Sequence, residues 1–294
     1  MALQSVKELL EKNKMDNLLL WETILNDDLN VQNMTREESL KQMHYFWQAM
    51  KHSADNYNAN DRSNSGLVGG DGEKMKIANE KGLLYGDDFM NTIITEALKV
   101  GECNACMKRI VATPTAGACG VMPAVLIPLV RARNISDDLI VQALYIAAGF
   151  GQIIATRSSI AGAEGGCQAE IGTASAMAAT ALTWLNHGTA EMCAHACSMA
   201  ISNLMGLVCD PIAGLVEIPC VQRNVIGAMN ALSSANMALA GIRHHIPTDE
   251  VIDAMRSVGD LMSPDLKETA RGGLAATPTA KIILKKLNQN NEFD

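Results

Sequence analysis

Apolar residues in this chain recur every three or four positions, and runs in which β-branched or aromatic residues alternate with polar ones are nearly absent. That regularity constrains the fold most. A period of 3.6 puts apolar side chains on one face of a helix, whereas a half-buried strand requires a period of two. VKELLEKNKMDNLLLWETIL and REESLKQMHYFWQAMKHS both show the helical spacing. The second carries its own start signal: Thr35 followed by Glu38 fits a capping box, in which each side chain satisfies an orphan amide at the helix entrance. Ser136 before DDLIVQALYIAAG and Thr248 before DEVIDAMRSVG read as further N-caps, the latter helix closing at Gly259. The expectation is an all-α fold, one large helical domain spanning residues 1–294. Within it, residues 1–55 read as a helical pair, 56–75 as a Gly/Ser/Asn-rich loop, and 76–294 as a helical body whose irregular loops form a site.

Residues 139–156 and 171–190 carry no Asp, Glu, Lys or Arg, which raises the question of membrane spans. Their composition answers it. The first holds Gln142, Gln152 and the breaker at Gly149 to Gly151, and the second is mostly Ala, Thr, Ser and Met. Both read as helices buried in a soluble protein, with no membrane partner expected. A chain of 294 residues, 48% hydrophobic, can bury a large core without staples. Eight cysteines are too sparse for a disulfide scaffold, and no charged-then-apolar leader precedes MALQSVKELLEKNK, so reduced thiols in the cytoplasm are expected. A net charge of −8 argues against a nucleic-acid groove and leaves small molecules or proteins as partners.

Where the cysteines sit matters more than how many there are. CNAC, at Cys103 to Cys106, has the C-x-x-C spacing of zinc knuckles and redox pairs, but no second pair follows at finger spacing and no βαβ pattern surrounds it. CAHAC puts Cys193 and Cys197 on one helix face with His195 turned elsewhere, which reads as core packing. Cys167, Cys209 and Cys220 differ, since each stands where a helix starts or stops. Orphan amides and the positive end of a helix favour a thiolate there. Gly165 and Gly166 permit close backbone approach beside Cys167, while Pro211 and Pro219 stiffen the chain beside the other two. Three thiolates suit a catalytic zinc or a 4Fe-4S cluster with one iron left open, and spacing leaves both standing. An open iron would act as a Lewis acid toward a hydroxyl leaving group.

PTAGACGVMPAVL (114–126), EGGCQAEIGTASAMAA (164–179) and CDPIAGLVEIPCVQRN (209–224) resemble the α chain of bacterial iron-sulfur-dependent L-serine dehydratase. SNSGLVGGDGEKM (63–75) and GGLAATPTA (272–280) are similar to that family as well. The resemblance implies that Cys167, Cys209 and Cys220 ligate three irons of a 4Fe-4S cluster and that the fourth iron takes the substrate hydroxyl. It also implies that L-serine loses its α proton and β hydroxide, giving aminoacrylate, then an imine, then pyruvate and ammonia, without pyridoxal phosphate. Some fused relatives end in a cysteine that reaches the open iron. This chain ends KKLNQNNEFD, so tail occupancy is not expected. The family also has a β unit, expected here as a separate polypeptide.

For the substrate carboxylate, SNSGLVGG offers the hydroxyls of Ser63 and Ser65 and the amides of Gly66, Gly69 and Gly70. The spacing is not a Walker loop. Thr115 and Asn224 are further polar candidates, and Arg223 could supply a charge. All six histidines fall outside the shared motifs, which leaves Lys74 as the base within this chain, provided burial lowers its pKa, or a base from the partner chain. Two rival readings are a cluster-dependent lyase acting on L-cysteine and a non-enzymatic iron-sulfur sensor or scaffold.

Overall fold

The computed structural model describes residues 3–291, and among these it has thirteen α-helices and no strand. In chain order they are α1 (Val6–Asp16), α2 (Leu20–Gln32), α3 (Arg36–Asp55), α4 (Asp71–Glu80), α5 (Asp88–Ala105), α6 (Val121–Arg133) and α7 (Asp137–Arg157). A single turn, α8 (Gly162–Gly165), leads on to α9 (Thr173–Leu185), α10 (Ala190–Asn203), α11 (Cys220–Leu239), α12 (Thr248–Leu261) and α13 (Pro278–Asn291). Met1, Ala2 and the last three residues of KKLNQNNEFD lie outside the described residues, so the expectations attached to the two chain ends fall there in part.

Small side chains decide the centre. Every residue of α9 except Trp184 is buried, and its alanines let α7, α10 and α11 pack directly around it. A Cβ added at Gly151 of α7 would stand 2.8 Å from Met177 Sδ of α9, so the contact depends on a bare backbone there. The charge-free segments are thereby explained. α7 and the stretch 116–133 are apolar and long enough for a membrane span, yet most of their residues are buried against neighbouring helices. A helix apolar on every side is what a large core contains.

The helix starts follow the expected chemistry in two places and depart from it in a third. Thr35 Oγ1 accepts from Glu38 N at 3.3 Å while Thr35 N donates to Glu38 Oε2 at 2.9 Å, closing the capping box. Ser136 Oγ accepts from Leu139 N at the start of α7. Thr248 is not a cap. It is the first helical residue after Pro247, its Oγ1 donates to Ala194 O and accepts from Ser198 Oγ, and it thus ties α12 to α10. α12 also runs on to Leu261, past Gly259.

The N-terminal segment read as a helical pair is three helices, because Asn17 adopts a left-handed conformation (φ 50°) and ends α1 inside a run whose apolar period continues. The 56–75 loop is likewise shorter. It is irregular only to Gly70, after which Glu102 of α5, itself buried, accepts from Asp71 N at 2.7 Å and nucleates α4. Lys74 therefore stands on a helix.

Candidate metal centre

Three separate segments carry Cys167, Cys209 and Cys220 inward, and the three are 2%, 2% and 7% exposed. Cys167 immediately precedes a π-helical turn, Gln168–Gly172, that feeds α9. Such turns interrupt the regular ladder and recur at functional sites. Gly166 before it has φ 75°, and a Cβ there would stand 2.9 Å from Leu207 O, so the close approach requires glycine. Cys209 lies in a short extended stretch, its N–H donating to Leu266 O and its carbonyl accepting from Glu268 N. Cys220 opens α11 directly after Pro219.

The sulfurs of Cys167 and Cys209 and a carboxylate oxygen of Glu170 all lie within 4.8 Å of one another. Cys220 stands outside that tight group but close enough to feel its charge. The hydrogen bond from Cys209, helped by the Arg223 guanidinium, holds Cys167 below the ordinary thiol range despite burial. The same hydrogen bond, with burial, drives Cys209 far upward. Burial, with repulsion from Cys167 and Glu170, pushes Cys220 up to about 12. Burial also raises Glu170, against the hydrogen bond from Thr115 and with added repulsion from Glu268. Arg223 is itself fixed: Nη1 donates to Val208 O at 2.8 Å and Nη2 to Asp210 Oδ1 at 2.7 Å. Asp210 Oδ2 in turn accepts from Leu274 N, which stitches the GGLAATPTA segment to the cysteine loop.

This is a buried group of soft thiol donors and one carboxylate, with a fixed cation beside it to offset the charge that deprotonated thiols carry. It could hold a metal. The remaining cysteines are placed otherwise. Cys103 Sγ donates to Ser53 O and Cys193 Sγ to Thr180 O, and burial raises the pKa of both. Among the described residues neither CNAC nor CAHAC forms a metal-binding group.

The serine loop is docked on the cysteine loop by Glu217, three residues before Cys220. Ser63 Oγ donates to Glu217 Oε2 at 2.9 Å and Ser65 Oγ donates to the same oxygen, while Val68 N and Leu67 N donate back to the two hydroxyls. The expected hydroxyls are thus brought to this side of the molecule, but their protons face Glu217 and not an open carboxylate site. Gly66 is exposed, Gly70 is the residue before α4, and Gly69 (φ 136°) passes so close to Asp61 O that a Cβ would clash at 2.1 Å.

Three further candidates also have definite places. Thr115 Oγ1 donates to Glu170 Oε1 at 2.7 Å, which puts it at the thiol group. Asn224 has its hydrogen bonds committed, Oδ1 accepting from Gly120 N and Nδ2 donating to Gly117 O and Cys220 O, so it pins the PTAGACG segment to α11 and is not a free substrate contact. Lys74 does not meet the condition set for a base: its side chain is 77% exposed and paired with Asp71 at 2.7 Å. Sequence reasoning missed Glu170 and Glu217. Glu170 had a signal, since it follows Cys167 at a spacing that shares one helix face, and Glu217 had none. Two larger cavities, about 240 Å³ beside Asp27, Asp28 and Tyr145 and about 480 Å³ beside Lys51, His52 and Arg109, have no thiol in their walls.

The sequence profile of the serine dehydratase alpha chain family matches residues 15–275. The chain is 41% identical over 284 residues to the "Probable L-serine dehydratase, alpha chain" of Bacillus subtilis, covering 97% of this chain and 95% of that one. It is 38% identical over 282 residues to the "L-serine dehydratase, alpha chain" of Peptoniphilus asaccharolyticus, covering 96% and 97%. A longer "L-serine dehydratase" of Mycobacterium tuberculosis matches at 42% over 204 residues, 68% of this chain and 44% of that protein.

Proposed function

The chain belongs to the serine dehydratase alpha-chain family, and from that premise we propose that it is the catalytic α subunit of a cytoplasmic L-serine dehydratase that carries a 4Fe-4S cluster on Cys167, Cys209 and Cys220. The observation that carries this reading is the convergence of three buried cysteines from three chain segments, with the fixed Arg223 acting on Cys167 and Cys220. When bound, the cluster supplies a Lewis-acidic iron able to take the hydroxyl of L-serine as a leaving group.

The chain's own residues do the rest. Arg223 stabilises thiolate at Cys167, which is the form that binds metal. Burial of the three cysteines keeps bulk water from the metal side of the site. The Ser63 to Gly70 loop is held against the cysteine loop by Glu217, which accepts from the hydroxyls of Ser63 and Ser65 and so fixes the loop in place. Loss of the α proton with the β hydroxide removes one water, and hydrolysis of the resulting imine returns one, so pyruvate and ammonia balance. The proton acceptor is assigned to a separate β chain, a partner supported by the "alpha chain" in the relatives' names and by the exposed, ion-paired state of Lys74.

The test is anaerobic reconstitution with iron and sulfide followed by a pyruvate assay with L-serine, with and without a β chain and without pyridoxal phosphate. The expected result is serine-dependent pyruvate that rises when β is added. Turnover of L-cysteine but not L-serine, or a fully loaded chain inert with β present, would overturn the reading.

A further inference from the structure

Glu170 is the one carboxylate that shares the tight group with Cys167 and Cys209. Its two oxygens are in different situations. Oε1 is held by the Thr115 hydroxyl at 2.7 Å. Oε2 faces Gly162, where an added Cβ would stand 2.7 Å from Oε2 and 3.0 Å from Cys209 Sγ, so the missing side chain keeps the space between carboxylate and thiol open. The nearby Arg223 guanidinium is committed to Val208 O and Asp210 Oδ1, and among the described residues Glu170 has no ion pair of its own. A partly buried carboxylate with no ion pair of its own is costly, and is offset when a positive charge binds beside it. The positive charge that the neighbouring thiols are built to attract is a metal.

We propose that Glu170 is a fourth, displaceable protein ligand, coordinating through Oε2 the iron that no thiolate holds while substrate is absent. The proposal rests on the cluster reading given above. A carboxylate oxygen is a harder and weaker partner for this iron than a thiolate, so an incoming hydroxyl can replace it. Thr115 keeps the displaced carboxylate in place for return, and Gly162 leaves it room to swing. The role also accounts for a carboxylate that lies among thiols with no ion pair of its own, a feature that three cysteine ligands alone leave unexplained.

The test uses the full chain, wild type, Glu170→Gln and Glu170→Ala, each reconstituted anaerobically with ⁵⁷Fe and sulfide. Glutamine retains the Thr115 contact and the side-chain shape, so folding, checked by far-UV circular dichroism, is preserved in at least that variant. Both variants are expected to lose the fourth iron about tenfold faster on brief ferricyanide treatment, read as the electron paramagnetic resonance signal of the three-iron form. Mössbauer spectra of the wild type should show the unique iron change when L-serine is added, and the variants should start in a different state. A normal cluster whose fourth iron behaves identically in all three chains overturns this proposal alone. Iron taken up without sulfide in the wild type overturns the cluster reading, and this proposal with it.

Discussion

Cys193 and Cys197 on α10 and Cys167 and Cys209 at helix junctions are all no more than 2% exposed, yet their surroundings differ in kind. Around the first pair lie alanines and backbone carbonyls, and burial, with lesser repulsion from Glu191 on Cys193 and from Asp249 on Cys197, raises both thiols. Around the second lie a guanidinium, a carboxylate and each other's sulfur, and one of the two is held below the ordinary range. Depth is the same in both places. What separates a packing thiol from a candidate metal-binding one is whether the neighbouring groups stabilise charge, and that is decided by where helices begin, because there the first turn of α11 brings Arg223, and the π-helical turn before α9 brings Glu170, to sulfur.

The contrast breaks most simply by removing sulfur. Cys167→Ala, Cys209→Ala and Cys220→Ala should each abolish iron uptake and turnover, whereas Cys193→Ala and Cys197→Ala should take up iron as the wild type does and lose only about 1–2 kcal/mol of stability, the cost of a small cavity. Iron analysis after reconstitution and thermal melts of the metal-free chains decide it. If one of the three junction cysteines proves dispensable, the distinction drawn here is wrong.

Removing the charge is the next largest change. Arg223→Gln leaves Asp210 buried without its cation, which costs about 3–5 kcal/mol. It should also alter thiol chemistry in a definite direction. The guanidinium favours the charged form of Cys167, so its loss moves the onset of alkylation by iodoacetamide to higher pH, read by mass spectrometry of the peptide containing Cys167. An unchanged pH profile would mean that Arg223 serves structure only.

A smaller effect sharpens the link between the cysteine loop and the serine loop. Glu217→Ala removes the shared acceptor of Ser63 and Ser65 and should speed amide hydrogen exchange over residues 63–68 by an amount equivalent to about 1–3 kcal/mol, while Glu217→Gln, which still accepts, should retain most of the protection. Equal exchange in all three chains would show that the loop is held by other contacts. At the small end, Lys74→Ala should change stability by less than about 0.5 kcal/mol and leave turnover unaltered, because its ion pair with Asp71 is exposed.

Much of this was legible in the sequence because its punctuation is local. Thr35 with Glu38, and Ser136 before α7, announce helix starts through bonds made within a few residues. Gly166 before Cys167 and the prolines beside Cys209 and Cys220 mark where helices break off or begin. What the sequence hid depends on contacts between distant segments. Glu217 meets Ser63 across 154 residues, and Thr115 meets Glu170 across 55. Asn17 ends α1 inside an unbroken apolar period by adopting a left-handed conformation, and periodicity carries no record of that. Lys74 and Asn224 were candidates by residue type, and only their partners, Asp71 and three backbone groups, reveal what they do.

The central claim is that the junction cysteines hold a metal group on which the hydroxyl of L-serine is taken up. It is tested most directly by titrating L-serine and, separately, L-alanine into the anaerobically reconstituted chain, in the presence of the proposed β chain, while recording the Mössbauer spectrum of the bound iron. The account predicts that L-serine shifts the signal of one iron out of about four and that L-alanine, which has no hydroxyl, does not. A spectrum that responds identically to both amino acids, or to neither, would contradict it.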